Sequence, residues 1–92
     1  MLYTNDVVIE QLSPVNRAAA KQFVLQLLTE LDDKAIDETL YEGSIEAFFD
    51  NTKSVVYVAK QNDKYIGVLT AVESIAIYSQ GAYGVIQELF VL

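Results

Sequence analysis

The chain has 92 residues, of which 52% are hydrophobic, and its formal net charge at pH 7 is −7. This length corresponds to one small domain or to part of one. The sequence has no cysteine and no histidine, so a disulfide framework, a zinc site built from these residues and a Ser-His-Asp triad are excluded within the chain. No metal site is expected. The acidic balance argues against nucleic acid as the main partner.

No stretch of the sequence reaches the roughly 18–20 continuous apolar residues of a transmembrane helix. Residues 1–6 lack the basic and apolar regions of a signal peptide. We therefore expect a cytoplasmic protein with no membrane partner.

The predicted elements begin with a short strand at residues 7–11, followed by a helix over residues 14–31. Ser13 and Pro14 predict the helix start, because a hydroxyl caps the first turn and proline is tolerated at the first helical position. Apolar residues at helical spacing predict its buried face: Ala20, Val24, Leu27 and Leu31.

A second, shorter helix is predicted to start at Ser44, a plausible N-cap, and to end near Asn51. Its apolar residues have the spacing i, i+3, i+4: Ile45, Phe48 and Phe49. For residues 36–42 the sequence leaves two alternatives open, an additional helical turn or an irregular loop.

The second half of the chain has the composition of strands. Residues 54–60 are β-branched and aromatic, and Asn62 and Asp63 predict a turn, because both tolerate left-handed φ. Residues 65–72 then predict a third strand antiparallel to the second, with a continuation as far as Tyr78.

Residues 79–81 predict the next turn, and residues 82–92 predict a fourth strand. The last three strands are nearly continuous apolar runs, which indicates that helices or further chain cover both faces of the sheet. The predicted fold class is α/β (α+β), in the order β-α-α-β-β-β, with a mainly antiparallel sheet and two helices.

Several segments, in this order, resemble the N-terminal half of a GNAT superfamily N-acetyltransferase. Residues 8–14 (VIEQLSP) are similar to the first strand running into the first helix. Residues 57–60 (YVAK) and 65–69 (YIGVL), with their Ile-Gly step, resemble the second and third strands, and residues 85–92 (VIQELFVL) resemble the fourth. The resemblance implies a truncated acyl-CoA N-acyltransferase fold, in which residues 1–92 form the N-terminal part of one domain.

The most specific motif of that family is an Arg-x-x-Gly-x-Gly loop, which binds the pyrophosphate of acetyl-CoA with main-chain N–H groups at a helix N-terminus. In the family this loop follows the fourth strand, and Gly81 and Gly84 do not replace it here. We therefore expect a fragment of an acetyl-CoA-dependent N-acetyltransferase that is inactive alone and shows no acetyl-CoA binding by calorimetry.

The resemblance also implies site residues on the fourth strand. Main-chain groups of Leu89, Phe90 and Val91 are expected to hydrogen-bond the pantetheine arm of acetyl-CoA, and Glu88 is the candidate catalytic base. Glu88 interrupts an apolar run, where an ionised carboxylate is costly unless it is paired or solvated. The alternative is a carboxylate that faces solvent on the opposite pleat from Gln87.

Residues 30–50 contain eight acidic residues and one basic residue, Lys34, and so carry the whole net charge of −7. Two interpretations remain open. The acids belong to a solvated helix face and loop, or they form an acidic rim that attracts a cationic substrate.

In the GNAT family the segment between the first two helices borders the acceptor groove. The resemblance therefore implies that Asp32 and Asp33 bind the acceptor, a small-molecule or peptide amine of unknown identity. Glu73, near the end of the third strand, is a further candidate for acceptor binding. Tyr41 and Tyr83 are candidates for lining the groove.

A different class of function also fits the composition. The chain can be a small, non-catalytic α/β interaction module, complete at 92 residues, that forms a homodimer through the edge of its last strand. A long, flat, apolar strand edge pairs readily with another chain. The two interpretations are compatible, because a half-domain that exposes this strand is also expected to pair.

Overall fold

A computed structural model of the chain describes residues 6–32, 37–76 and 81–92. The elements follow one another as β1 (Val7–Gln11), α1 (Arg17–Asp32), α2 (Glu38–Asp50), β2 (Ser54–Gln61), β3 (Lys64–Ala76) and β4 (Gly81–Val91). This order confirms the predicted α+β fold class with two helices. Neither helix is long and apolar enough to cross a membrane.

The four strands form one sheet in the order β1-β2-β3-β4, and every neighbouring pair is antiparallel. The turn between β2 and β3 consists of Asn62 and Asp63, whose φ angles are 52° and 63°. Positive φ at both positions gives the turn a twist that matches the twist of the flanking strands, and the predicted turn is confirmed. The predicted continuation of the third strand is confirmed as far as Ala76, and its last two residues, 77 and 78, lie outside the described residues. Of the predicted turn at residues 79–81, only Gly81 is described, and it is the first residue of β4.

The hydrophobic core lies between the two helices and one face of the sheet. Phe23 of α1 and Phe90 of β4 are in contact across this interface, with ring centroids 5.7 Å apart. The other core residues come from both helices and from β2 and β3: Ala20, Val24, Leu25, Ile45, Phe49, Val56, Val58 and Val68. The prediction that Leu31 belongs to the buried face of α1 is wrong. Leu31 lies in the last turn of the helix, beyond the core, and is 73% exposed.

The first helix begins at Arg17, three residues later than Pro14, the predicted start. The reason is Asn16, which is buried and folds back onto the preceding chain. Its Oδ1 accepts the Ser13 N–H at 2.8 Å, and its Nδ2 donates to the Gln11 carbonyl at 3.0 Å. These bonds fasten the end of β1 to the start of α1 and leave a turn between them.

The second helix begins at Glu38, so the prediction of Ser44 as its N-cap is wrong. Asp37 is the cap, and its Oδ1 accepts the N–H of Thr39 at 3.1 Å. Residues 38–42 are therefore helical. Of the two alternatives left open for residues 36–42, the additional helical turn is the one observed for this part. At the other end Asn51 donates its N–H to the Phe48 carbonyl at 3.2 Å, so the predicted end is confirmed.

The second face of the sheet carries apolar side chains that the described residues leave uncovered. Ile9, Leu89 and Val91 are more than half exposed on this face, which they share with Tyr57 and Leu69. The expectation that both faces are covered is therefore met on one face only by the described part of the chain.

Candidate functional site

Glu88 lies in β4 directly opposite Thr70 of β3. The Thr70 Oγ1 donates a hydrogen bond to the Glu88 carboxylate, and the Glu88 N–H donates to the same Thr70 oxygen at 3.1 Å. Thr70 is only 1% exposed, Glu88 is half buried and Gln87 is exposed. The carboxylate therefore points to the side of the sheet that packs against the helices.

A β-bulge precedes Glu88 in the strand. Thr70 pairs with Glu88, but the next residue of β3, Ala71, pairs with Ile86. Gln87 is therefore an extra residue in β4. Bulges change the direction of neighbouring side chains and are frequent beside active sites. No residue of the segment 85–92 indicates this bulge in advance, since the segment contains no glycine.

A cavity of about 210 Å³ opens between α1, α2 and the sheet, with Glu88 in its wall. Most of the wall is formed by apolar side chains of the two helices: Val24, Leu28, Ile45, Phe48 and Phe49. Tyr41 and Ser44 contribute the polar part of α2, and Thr70 and Glu88 contribute that of the sheet. The cavity is therefore largely apolar and contains one carboxylate.

Three acids of α2 form ion pairs with two bases of α1. Arg17 forms ion pairs with Glu46 and, at 3.0 Å, with Asp50, while the Lys21 Nζ lies 2.6 Å from the Glu42 carboxylate. The hydrogen bond from Lys21 lowers the pKa of Glu42, and those with Glu46 and Glu42 raise the pKa of Arg17 and of Lys21. These acids link the two helices, which favours a structural role for them over an acidic rim.

The other predicted acceptor residues lie away from the Glu88 cavity. Asp32 is exposed at the last position of α1, and Asp33 lies outside the described residues. Glu73 and Tyr83 line a separate depression, where Glu73 pairs with Lys53 at 3.4 Å. The structure thus brings Glu73 and Tyr83 together but places neither in the wall of the Glu88 cavity.

Beyond Glu88, the N–H and C=O groups of successive residues of β4 point alternately toward β3 and toward the outer edge of the sheet. The Leu92 N–H donates to the Ile66 carbonyl of β3 at 2.8 Å. Hydrogen-bonded and non-hydrogen-bonded pairs alternate along an antiparallel ladder, so the Phe90 main chain also faces β3, whereas Leu89 and Val91 direct their N–H and C=O groups away from it. Of the three predicted cofactor-binding residues, these two present main-chain groups at the outer edge of β4.

Two signals for this site are absent from the linear sequence. Threonine is common in β-strands, so Thr70 does not stand out in the sequence. Only the pairing of β3 with β4 shows that Thr70 lies opposite Glu88. The cavity is built from both helices and two strands, so it follows from the packing of the helices on the sheet. Tyr41, a candidate groove residue, is the only one of the predicted acceptor residues that the described structure places in its wall.

No protein-family model and no curated protein matches the sequence, but solved structures do. A possible acetyltransferase from Clostridium difficile 630 matches 92% of this chain with a TM-score of 0.76 and 19% identity. An aminoglycoside acetyltransferase from an uncultured soil metagenomic sample matches 92% with a TM-score of 0.66 and 21% identity. A GNAT family acetyltransferase from Staphylococcus aureus matches 92% with a TM-score of 0.63 and 12% identity.

The match is to part of each of these structures. The chain covers 57%, 55% and 62% of the three proteins, respectively. At this level of identity the comparison concerns the fold. The chain has a partial GNAT fold.

Proposed function

We propose that the chain is part of an acetyl-CoA-dependent N-acetyltransferase, in which Glu88 is the base that takes a proton from the acceptor amine. The observation that carries the proposal is the position of Glu88. Its carboxylate lies in the wall of a cavity, and the next residue, Leu89, directs its main chain to the outer edge of β4. Catalysis by a base requires such a group to be held within reach of the amine.

The outer edge of β4 fits the amide-containing arm of acetyl-CoA. Leu89 and Val91 offer N–H donors and C=O acceptors there, and an extended chain with amide groups binds such an edge as an added strand does. Bound acetyl-CoA supplies an acetyl group activated as a thioester. Leu89 and Val91 would hold this arm through main-chain groups, while their side chains remain on the uncovered face of the sheet.

The proposed reaction joins the amine nitrogen to the acetyl carbon and breaks the carbon–sulfur bond, releasing the thiol of CoA. Glu88 accepts the proton that the amine nitrogen loses, and this proton then passes through solvent to the leaving sulfur, which restores the carboxylate. Thr70 donates to the Glu88 carboxylate and so fixes its orientation toward the cavity. The acetyltransferases among the similar structures support acetyl transfer as the reaction.

The proposal is tested by following release of the CoA thiol from acetyl-CoA in the presence and absence of primary amines, using the whole acetyltransferase of which this chain is proposed to be part. We expect amine-dependent release, and a fall in kcat of about 10²-fold or more for Glu88→Gln, the range typical of a lost general base. Gln87→Ala is the matched control, because Gln87 is exposed on the same strand. Thiol release that needs no amine, or an unchanged rate for Glu88→Gln, would contradict the proposal.

Pairing of two copies through β4 is the second candidate function. It is supported by the position of β4 at the edge of the described sheet and by the exposure of Ile86, Leu89 and Val91. Leu89→Pro tests it, because proline removes an N–H that points away from β3 and so affects mainly the outer edge. We expect a dimer by light scattering that dissociates with Leu89→Pro and persists with Leu89→Ala. A monomer at all concentrations would exclude this function.

A further inference from the structure

We propose that the cavity beside Glu88 selects a primary monoamine with a compact apolar body, of the size of one aromatic ring on a short alkyl arm. This inference deepens the proposed function and rests on it. It assigns the acceptor to the cavity between the helices and the sheet, and it assigns the apolar helix residues a role in choosing that acceptor.

The walls of the cavity determine what the body of the acceptor can be. Leu28, Ile45 and Phe48 present hydrocarbon surface, and among the residues lining the cavity the polar groups come from Tyr41, Ser44, Thr70 and Glu88. The Thr70 hydroxyl is already engaged with Glu88. A polyhydroxylated acceptor would have to bury several hydroxyls without hydrogen-bond partners, which is costly. An apolar body has no such cost and gains from its removal from water.

The volume of the cavity sets the size of the acceptor. An apolar cavity of about 150 Å³ is large enough to bind benzene. At about 210 Å³, the present cavity holds one such ring and a short arm that reaches the carboxylate. A second ring would extend beyond the walls.

The charges around the cavity indicate how many amino groups the acceptor carries. Glu88 is the one acid among its lining residues, and an ammonium group forms a charge-assisted hydrogen bond with it. On α2, Glu42 and Glu46 are paired with Lys21 and Arg17. The lining therefore provides one cation site, which suits a monoamine better than a polyamine.

The test compares three primary amines as acceptors for the whole acetyltransferase that contains this chain, at saturating acetyl-CoA. 2-Phenylethylamine has the proposed shape, glucosamine has a similar size but several hydroxyls, and spermidine is a flexible polyamine. We expect kcat/KM for 2-phenylethylamine to exceed that for each of the others by at least about tenfold, as for sites that discriminate by apolar contact. Equal or better use of glucosamine or spermidine would overturn the inference while leaving acetyl transfer intact.

Ser44→Phe tests the location of the site. Ser44 is exposed and lines the cavity, so a phenyl ring there fills the space from its solvent side. We expect KM for 2-phenylethylamine to rise by about tenfold or more, a typical effect of altered pocket shape. Leu40→Phe is the matched control, since Leu40 is exposed on the same helix but is not among the lining residues. An unchanged KM in Ser44→Phe would place the acceptor elsewhere.

Two further measurements cover the remaining outcomes. If Ser44→Phe does not fold, Tyr41→Ala is used instead, since it removes a partly exposed side chain from the cavity wall. This variant must also lower kcat/KM for 2-phenylethylamine. If no amine is acetylated, the proposed function fails, and calorimetric titration of 2-phenylethylamine then tests the cavity by itself. Saturable binding that Ser44→Phe abolishes supports the cavity as an amine site, and absence of binding overturns the inference.

Discussion

Thr70 and Glu88 are joined by two hydrogen bonds across β3 and β4, and both bonds use the same hydroxyl. The Thr70 Oγ1 donates to the Glu88 carboxylate and accepts the Glu88 N–H at 3.1 Å. Because Thr70 is buried, water does not readily replace its hydroxyl. One side chain thus holds both the main chain and the carboxylate of Glu88 next to the bulge, which makes Thr70 a positioning residue for the proposed base.

Thr70→Val keeps the shape of the side chain but removes both hydrogen bonds. We expect kcat for acetyl transfer to fall by about 10- to 100-fold, because a misplacement near 1 Å costs about that much, with a much smaller change in KM for the amine. Steady-state kinetics at varied amine concentration provide the measurement, because they separate kcat from KM.

Thr70→Ser separates positioning from packing, since it keeps the hydroxyl and removes only a methyl group. It should restore most of the activity. Thr70→Val should also lower the free energy of unfolding by about 1–3 kcal/mol, because the Glu88 N–H loses its partner, and urea unfolding measures this. Wild-type kcat in Thr70→Val, or equal losses in both variants, would show that Thr70 does not position Glu88.

The strands and their order were predictable because they depend on local properties. The β-branched run of β2 and the left-handed tolerance of Asn62 and Asp63 decide where strand and turn form, whatever packs on them. Helix starts were less predictable. The start of α1 depends on the contacts of Asn16 with Ser13 and with the end of β1, and these contacts form only in the folded chain.

The candidate site was only partly predictable, for a different reason. Glu88 is visible in the sequence as a charge within an apolar strand, but its partner Thr70 lies on another strand. The acids of α2 also depend on distant residues: Glu42 and Glu46 meet Lys21 and Arg17 only when α2 packs against α1. A segment that the sequence presents as one acidic cluster is therefore divided by packing into paired and solvated acids.

Gly67 illustrates a residue whose role is set by the neighbouring strand. A Cβ atom at this position would lie 2.6 Å from the Phe90 carbonyl oxygen, a main-chain atom of β4 that cannot rotate away. Gly67→Ala must therefore push β3 and β4 apart where the main chain of Leu89 and Val91 is proposed to bind acetyl-CoA. We expect a loss of about 1–3 kcal/mol in the free energy of unfolding, as for other overpacked sites.

Gly84→Ala is the matched control for Gly67→Ala, and urea unfolding compares the two. Gly84 also lies in a β-strand, but a Cβ atom there meets nothing within 4 Å. Alanine should be neutral or slightly stabilising at this position, because it restricts the unfolded chain. Equal destabilisation by both substitutions would mean that strand flexibility, and not the close contact with Phe90, explains Gly67.

The ion pair of Lys21 with Glu42 predicts a pH dependence of stability. The hydrogen bond from Lys21 lowers the pKa of Glu42 below its ordinary value of 4.5. A carboxyl group with a lowered pKa stabilises the folded state above its unfolded pKa, and this contribution is lost as the pH falls through the folded pKa. Glu42→Gln should therefore be modestly destabilising at pH 7, and its difference from the wild type should shrink below pH 4.5.

A double-mutant cycle with Lys21→Met isolates this pair. The coupling between the two positions should be present at neutral pH, decrease in acid and decrease with added salt, since the pair is partly exposed. A coupling that persists unchanged in acid would assign the effect to packing of the Lys21 stem.

In the turn between β2 and β3, a substitution is expected to stabilise the fold, in contrast to the destabilising substitutions above. Asp63 has a φ of 63°, in the left-handed region that aspartate tolerates but glycine adopts more readily. Glycine adopts this conformation without a Cβ clash, so Asp63→Gly should raise the free energy of unfolding by about 0.5–1 kcal/mol, even though glycine also loosens the unfolded chain. The same substitution one residue later, Lys64→Gly, places glycine at the start of β3 and should be destabilising by about 0.5–1 kcal/mol. Urea unfolding of both variants should give opposite signs, and a shared sign would contradict the role assigned to the φ angle of Asp63.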